Sequence, residues 1–188
     1  MRYQYCPLCG TKLTNKTAGD DGAVPFCKKC NQLWFDTFAS CSIVLVANEY
    51  NEIALLRQGY LSDRYTSFVS GYITPGESAE ETAVREVKEE IGVTLNTLEY
   101  AGTYWFAKKE LLMHGFIGKA KKCNLILSQE VDSAEWTPAK EVVKTLFPDA
   151  LGNAAFAIYR KFMEQLPLDI NDNVVSPKNL TGHMPYNC

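Results

Sequence analysis

The sequence predicts an α+β fold in which a mixed sheet is flanked by helices and preceded by a small metal-binding module. Two paired cysteine motifs lie within the first 38 residues, which are polar and rich in turns. From Cys41 onwards, apolar β-branched runs alternate with turn residues, as in buried strands. One strongly charged helical segment with clear start and stop signals lies between these runs. We therefore expect three parts: the module at 1–38, the main domain at 39–166 and a C-terminal tail at 167–188.

The composition is that of a globular domain. Of the 188 residues, 46% are apolar and 12% are aromatic, which is enough for a packed core. The 19 basic and 22 acidic residues give a net charge of −3, so no overall basic field indicates a nucleic-acid partner. No run approaches the ~20 apolar residues that cross a bilayer, and the N-terminal residues do not resemble a signal sequence. We expect a soluble, cytoplasmic protein with no membrane partner.

Four of the seven cysteines form two Cys-x2-Cys pairs, separated by seventeen residues: Cys6, Cys9, Cys27 and Cys30. Each pair can place two thiolates on one ion, and the second pair completes a tetrahedral shell with no open position. This pattern is typical of a structural Zn²⁺ site. Reduced pairs without metal and a redox-active pair are the alternatives. Lys28 and Lys29 also leave open a zinc ribbon that contacts nucleic acid.

The main domain begins with a predicted hairpin, in which the run CSIVLVAN from Cys41 and the run IALLRQ are joined by a turn at 48–51. Residues 67–73 form the next predicted strand, which a Thr-Pro-Gly turn closes. Further strands are expected at 97–106, 111–119 and 131–136. Helical patterns follow at 138–146 and 151–165.

The charged helical segment starts at Ser78, where Glu81 three residues later completes a capping box, and it stops at Gly92. At ~100° per residue, three carboxylates share one sector of this helix. They are Glu86, Glu89 and Glu90. Beside them lies an apolar stripe that is expected to face the sheet: Ala83, Val84, Val87 and Ile91. Three charged residues fall on the remaining side, which is expected to face solvent: Glu81, Arg85 and Lys88.

The cluster of three carboxylates has two possible explanations. Like charges at i,i+4 cost only about 0.2–0.5 kcal/mol on an exposed helix, so an acidic surface helix is possible. Alternatively, converging carboxylates form a hard-oxygen site for Mg²⁺ or Mn²⁺, ions that proteins often bind together with substrate phosphates. Such an ion can neutralise the charge of a pyrophosphate and activate water.

The segment GYITPGESAEETAVREVKEEIGV resembles the Nudix box, G-x5-E-x7-R-E-U-x-E-E-x-G-U, where U is an aliphatic residue. It matches at every specified position: Gly71, Glu77, Arg85, Glu86, Val87, Glu89, Glu90, Gly92 and Val93. The resemblance implies a Nudix-type α/β/α sandwich and hydrolysis of a nucleoside diphosphate linked to another group X. It implies that the three carboxylates bind divalent ions, and that Glu89, Glu90 or a nearby loop acid is the general base. It also implies that Glu77 and Arg85 form an ion pair, and that Gly71 permits the backbone geometry with which the loop begins.

A four-cysteine ribbon directly before such a domain is similar to the NADH pyrophosphatase subgroup of the Nudix family. That subgroup carries an SQPWPFPxS motif after the box, and the corresponding residues 103–111 differ from it. Thr103 replaces the serine, and the three prolines are absent. Glu130, six residues before Trp136, matches the position of an additional acidic metal ligand in the subgroup. The resemblance implies a dinucleotide substrate such as NADH or NAD⁺, and the difference leaves ADP-ribose, FAD and nucleotide-capped RNA open.

Residues 104–109 supply the candidate substrate contacts. Tyr104, Trp105 and Phe106 can stack on a base or nicotinamide ring, although they can equally be core aromatics. Lys108 and Lys109 can contact phosphates or remain solvated. The resemblance implies a homodimer, and RNA as a partner only in the form of a capped substrate. A nucleotide- or RNA-binding regulator that uses the zinc ribbon is the alternative of another class.

Overall fold

The computed structural model describes residues 3–149 and 153–166 of the 188-residue chain. The predicted tail at 167–188 therefore lies outside the described residues. Within the two described ranges, none of the helices is both long and apolar enough to cross a membrane.

The N-terminal module contains a small antiparallel sheet of three strands in the order β1-β2-β3. The strands are β1 (Thr14–Thr17), β2 (Ala23–Cys27) and β3 (Gln32–Leu33), with a 3-10 turn at Gly19–Asp21. The sequence predicted turns in this region but not this sheet, because strands of two to five residues carry little periodicity. The placement of a domain boundary at residue 38 stays a proposal.

The main domain is built on a six-stranded mixed sheet, as predicted. Its strands are β4 (Ala39–Ala47), β5 (Glu52–Arg57), β6 (Val69–Tyr72), β7 (Thr97–Phe106), β8 (Leu111–Lys119) and β9 (Ser133–Pro138). The order is β7-β8-β4-β5-β9, and β6 also pairs with β4. The β4–β8 pair is parallel and the other pairs are antiparallel. Strand β9 begins two residues later than predicted.

Both faces of the sheet are buried, since β4 contributes alternate side chains to two separate cores. Leu45 packs in the core beneath α2 (Ala154–Gln165), together with Ile158 and Phe162. Val44 packs in the core beneath α1 (Ala79–Ile91). This arrangement of helix, sheet and helix confirms the predicted α/β/α sandwich. The helical pattern at 138–146 is a 3-10 helix at Ala139–Lys144.

Helix α1 begins and ends where the sequence predicts. The Ser78 hydroxyl accepts the Glu81 amide at 3.1 Å, and the Glu81 carboxylate accepts the Ser78 amide at 2.8 Å, so the capping box is complete. Gly92 has a φ of 71° and its amide donates to Lys88 O. A side chain at residue 92 would also meet Ile126 Cβ at 2.8 Å. Glycine is therefore required for both the backbone conformation and the packing.

Two predictions about the faces of α1 are wrong. Val84 was expected to face the sheet but is 48% exposed, whereas Thr82 is fully buried. The buried stripe is centred on Ala83, Val87 and Ile91. Residue 84 lies at the edge of this stripe and therefore faces solvent. Arg85 was expected on the solvated side but is half-buried, because its long side chain reaches back to the acids of the box.

An irregular segment at 120–132 crosses the C-terminal end of α1. The amides of Ile126 and Ser128 donate to the carbonyls of Ile91 and Glu90 at 3.0 and 3.1 Å. These bonds satisfy carbonyls that a helix end otherwise leaves without partners. They also fix the segment that carries Glu130 next to the acidic helix.

Candidate active site

The end of β6 and the middle of α1 approach so closely that the carboxylate of Glu86 lies directly over Gly71. A Cβ atom at residue 71 would lie 1.9 Å from Glu86 Cδ. Any residue other than glycine would therefore displace this carboxylate or push the helix off the sheet. The first glycine of the box thus makes room for an acid of the box.

Arg85 connects three acids of the box. Its Nε lies 2.6 Å from Glu77 Oε1, and one terminal nitrogen, Nη1, donates to Glu86 at 2.7 Å and to Glu89 at 2.9 Å. The planar guanidinium offers several donors in a fixed geometry, so one side chain can hold several carboxylates at once. The ion pair between Arg85 and Glu77 that the resemblance implied is therefore present, while its catalytic role stays a prediction.

Glu77 fixes the loop that leads into α1. Besides Arg85, the hydroxyls of Thr74 and Thr82 donate to Glu77 Oε2 at 2.8 and 3.0 Å. The guanidinium of Arg85, followed by the Thr74 hydroxyl, lowers the pKa of Glu77 to about 2. This carboxylate is thus held ionised, and it ties the loop to the first turns of the helix.

Glu90 differs from the other acids of the box because it is only 3% exposed. Its Oε1 accepts the Gln58 amide at 2.9 Å, whereas its buried Oε2 has no hydrogen-bond partner among the described residues. Burial raises the pKa of Glu90 to about 7, and the charges of Glu86 and Glu130 also raise it, whereas the hydrogen bond from Gln58 and the nearby backbone amide of Ser70 lower it. A buried carboxylate oxygen without a donor is costly, and a cation is a chemically suitable partner for it.

The four predicted metal-binding acids are neighbours but do not all converge. Glu89 points outwards, with 58% of its side chain exposed, and Glu130 is also exposed. Among the described residues, only the four paired cysteines bring three or more potential ligand atoms within 4.8 Å of one another. Like charges repel, and Arg85 occupies the space between Glu86 and Glu89.

The four paired cysteines form a compact cluster. Cys6 and Cys30 have their sulfurs 3.9 Å apart, and Cys9 and Cys27 have theirs 3.6 Å apart. All four sulfurs lie within 4.8 Å of one another, and the cysteines are free. Tetrahedral Zn²⁺ with Zn–S bonds of ~2.3 Å separates its sulfurs by about 3.8 Å, so the cluster fits this ion.

An open cleft of about 420 Å³ lies next to the loop that precedes α1. Its lining includes Phe38, Ser40, Tyr72, Thr74, Pro75 and Glu77. Glu77 also contacts Arg85, so the cleft adjoins the acid cluster, which consists of Glu86, Glu89, Glu90 and Glu130.

The three predicted aromatic contacts on β7 differ in their environments. Trp105 is 46% exposed and makes an edge-to-face contact with Phe38 of the cleft at 5.6 Å. Tyr104 packs against the core beneath α2, and its hydroxyl donates to Ala101 O. Phe106 is half-buried, and Lys108 and Lys109 are exposed. Trp105 is therefore the better placed of the predicted aromatic contacts, while Tyr104 has the environment of a core residue.

The sequence model of the family described as NUDIX domain matches residues 37–162, which include every residue of the acid cluster. The chain belongs to the NUDIX domain family. This finding confirms the resemblance and the predicted fold class.

Several curated proteins are similar to this Nudix chain. An NAD-capped RNA hydrolase NudC of Pseudomonas aeruginosa is 31% identical over 134 residues, which cover 71% of this chain and 47% of that protein. The NAD-capped RNA hydrolase ndx-9 of Caenorhabditis elegans is 28% identical, with coverages of 79% and 41%. Nudix hydrolase 19, chloroplastic, of Arabidopsis thaliana is 32% identical, with coverages of 84% and 36%. The chain spans less than half the length of these three relatives.

Solved structures share the Nudix fold at low sequence identity. A NUDIX hydrolase from Nitrosomonas europaea has a TM-score of 0.65 at 15% identity, covering 87% of this chain and 92% of that chain. The NUDIX domain of Shewanella oneidensis NrtR, solved with ADP ribose, has a TM-score of 0.59 at 15% identity, with coverages of 76% and 94%. These similarities support the fold.

Two contributors to the Nudix site were not predicted from the sequence. Gln58 contacts Glu90, although its only signal was a polar residue at the end of an apolar run. Phe38 lines the cleft and contacts Trp105, but it lies just before β4, in a stretch with no motif. Both depend on contacts between residues distant in sequence.

Proposed function

We propose that the chain is a divalent-metal-dependent Nudix hydrolase that cleaves the pyrophosphate of a dinucleotide such as NADH or NAD⁺. The main support for this proposal is the environment of Glu90. This residue is a buried carboxylate whose Oε2 has no partner among the described residues, and it lies beside Glu86 in a box that matches at every position. An acidic surface helix does not account for a buried acid. A cation site does, because a cation is attracted by carboxylates and by phosphates alike.

The acids of the box would hold the metal. Glu86, Glu89, Glu90 and Glu130 would hold Mg²⁺ or Mn²⁺. The ion would supply charge neutralisation at the pyrophosphate and a lowered pKa for the attacking water. Either Glu89 or Glu90 would accept the proton of that water. Arg85, fixed by Glu77, would keep the helix and its acids in place relative to the loop.

The cleft beside Glu77 is the proposed position of one substrate ring. Phe38 and Tyr72 are exposed aromatic residues in its lining, and Trp105 contacts Phe38 edge to face. Aromatic faces stack on bases and on nicotinamide. Lys108 and Lys109 remain candidate phosphate contacts, because both are exposed on the turn that follows β7.

The cysteine cluster would hold a structural Zn²⁺, because four thiolates complete its shell and leave no open position. In such a role the ion would stabilise the three-stranded module and take no part in hydrolysis. A homodimer and a cytoplasmic location stay predictions.

Removal of an NAD cap from RNA is the second candidate function. Two of the three curated relatives reported above are named NAD-capped RNA hydrolases, and capped RNA carries the same pyrophosphate as the free dinucleotide. The cleft is open, so a chain attached to the substrate has a path out of it. The chemistry would be unchanged and only the group X would differ.

A product-resolved substrate screen tests these proposals. The purified protein is incubated with Mg²⁺ or Mn²⁺ and with NADH, NAD⁺, ADP-ribose, FAD, dinucleoside polyphosphates or NAD-capped RNA, and the products are identified by mass spectrometry. We expect AMP and nicotinamide mononucleotide from NAD⁺, and AMP and reduced nicotinamide mononucleotide from NADH. If none of these compounds is cleaved with either ion, the proposal is wrong. RNA binding that is sensitive to salt and survives Glu86→Gln would instead favour a regulator that uses the zinc ribbon.

A further inference from the structure

Gln58 is a buried polar residue that the fold brings to the acidic helix. It directly follows β5 and is 2% exposed. Its carbonyl accepts the amides of Leu61 and Ser62 at 2.9 and 3.1 Å, which fixes its backbone at the start of a turn. Burial of an amide is unfavourable unless its polar atoms are paired. The partners of this side chain therefore indicate what it does.

The side chain of Gln58 connects Ser67 to Glu90. Ser67 Oγ donates to Gln58 Oε1 at 3.3 Å, and Gln58 Nε2 donates to Glu90 Oε1 at 2.9 Å. Ser67 is itself fixed, because its amide and carbonyl both bond to Leu56 at 2.8 and 2.9 Å. Because Gln58 Oε1 accepts the Ser67 hydroxyl, the N–H group of the same amide faces the carboxylate of Glu90.

We propose that Gln58 is a positioning residue of the metal site, which holds Glu90 Oε1 so that Oε2 is available to the divalent ion. This inference rests on the proposed function. Among the described residues, Oε2 has no hydrogen-bond partner. Hydrogen bonds to metal-binding side chains fix the orientation of the ligand, and their loss weakens metal binding.

Gln58 carries no charge, unlike the arginine that holds the other acids of the box. Glu86 and Glu89 are held by a cation, Arg85, whereas Glu90 is held by an amide. A cation in place of Gln58 would neutralise Glu90 and reduce its attraction for a metal ion. An amide fixes the orientation of the carboxylate and leaves its negative charge in place.

Gln58→Met tests the inference, because methionine has a similar length and no donor. Mn²⁺ binding is measured by titration calorimetry, and hydrolysis of the substrate found in the screen is measured over a range of Mg²⁺ concentrations. We expect Mn²⁺ affinity to fall about 10- to 100-fold, with a matching rise in the Mg²⁺ concentration for half-maximal activity. At saturating Mg²⁺, the KM for the nucleotide should change much less. A residue with a merely structural role would lower the melting temperature without this effect on metal binding.

Asn48→Leu is the matched control. Asn48 is also a buried amide that donates to a glutamate, Glu52, at 2.7 Å, but it lies in the turn between β4 and β5 and contacts no acid of the box. This variant should lose stability and keep the Mn²⁺ affinity of the wild type. Ser67→Ala, which retains both the amide and the carboxylate, should weaken Mn²⁺ binding in the same direction by a smaller factor.

Folded Gln58→Met that binds Mn²⁺ within twofold of the wild type would overturn the inference. If Gln58→Met does not fold, the inference is overturned when Ser67→Ala binds Mn²⁺ with the affinity of the wild type. A wild-type protein that binds Mn²⁺ but cleaves no pyrophosphate overturns the proposed function alone, and the Mn²⁺ comparison still decides the role of Gln58. A wild-type protein that binds no Mn²⁺ overturns both.

Discussion

Replacement of Glu90 by glutamine should make the metal-free protein more stable while it removes activity. Glutamine has nearly the same shape as glutamate, and its side-chain oxygen can still accept the Gln58 amide. Because glutamine carries no charge, the folded variant avoids the unfavourable free energy of an ionised carboxylate in a buried position. Burial raises the pKa of Glu90 from 4.5 to about 7. At 1.36 kcal/mol per pKa unit, this rise corresponds to about 3 kcal/mol of folding free energy.

The pH dependence of this effect has a defined sign. Since the folded-state pKa is raised, the stability associated with Glu90 is fully present below pH ~4.5 and is lost as the pH rises through about 7. The variant has no such dependence at this residue. The stability difference between Glu90→Gln and the wild type should therefore grow from near zero at pH 4.5 to about 3 kcal/mol above pH 7.

Urea unfolding at several pH values, in buffer without added divalent ions, measures this difference. Glu89→Gln is the matched control, because Glu89 is exposed and its replacement should change stability by no more than about 0.5 kcal/mol. Added Mg²⁺ should stabilise the wild type and not the Glu90→Gln variant, since a ligand stabilises only the form that binds it. A variant that is no more stable than the wild type at pH 8, or a difference that does not vary with pH, would refute the reasoning.

Three further perturbations test other parts of the site. Gly71→Ala should displace the carboxylate of Glu86, destabilise the protein by about 1–3 kcal/mol and abolish metal-dependent hydrolysis; full activity would contradict the close approach. Trp105→Ala should raise the KM for the nucleotide about 10-fold, consistent with ~1–1.5 kcal/mol for an aromatic contact, whereas Tyr104→Phe should leave KM unchanged; equal effects of the two would argue against the cleft. Protein purified without chelators should contain one Zn²⁺ per chain, and Cys6→Ser should lose it with the fold of the module; a wild-type protein without zinc would contradict the cysteine site.

The parts of the fold that depend on local sequence were predictable. The capping box at Ser78 and Glu81 and the stop at Gly92 each involve residues close in sequence, so their spacing predicted the bounds of α1. The apolar runs of β4 and β5 likewise predicted a hairpin with a largely buried strand. A pattern of apolar residues identifies such elements because it shows which side chains are buried on folding.

The parts that depend on tertiary packing were not predictable. Helical periodicity gave the apolar stripe of α1 but not its centre, so Val84 was placed on the wrong side. The periodicity placed Arg85 on the solvated side, and only the resemblance to the Nudix box indicated that its side chain pairs with Glu77. Gln58 and Glu90 are separated by 32 residues, and only the packing of α1 on the sheet brings them together.

Cleavage of the dinucleotide in water enriched in ¹⁸O tests most directly whether this chain is a hydrolase that uses its acid cluster. The wild type is incubated with NADH and Mg²⁺, and the phosphates of both products are analysed by mass spectrometry, in parallel with the Glu90→Gln variant. We predict AMP and the reduced nicotinamide mononucleotide, with one ¹⁸O atom per turnover in one of the two phosphates, and no turnover by the variant. Absence of cleavage, products without label, or labelled products formed equally by Glu90→Gln would contradict the account.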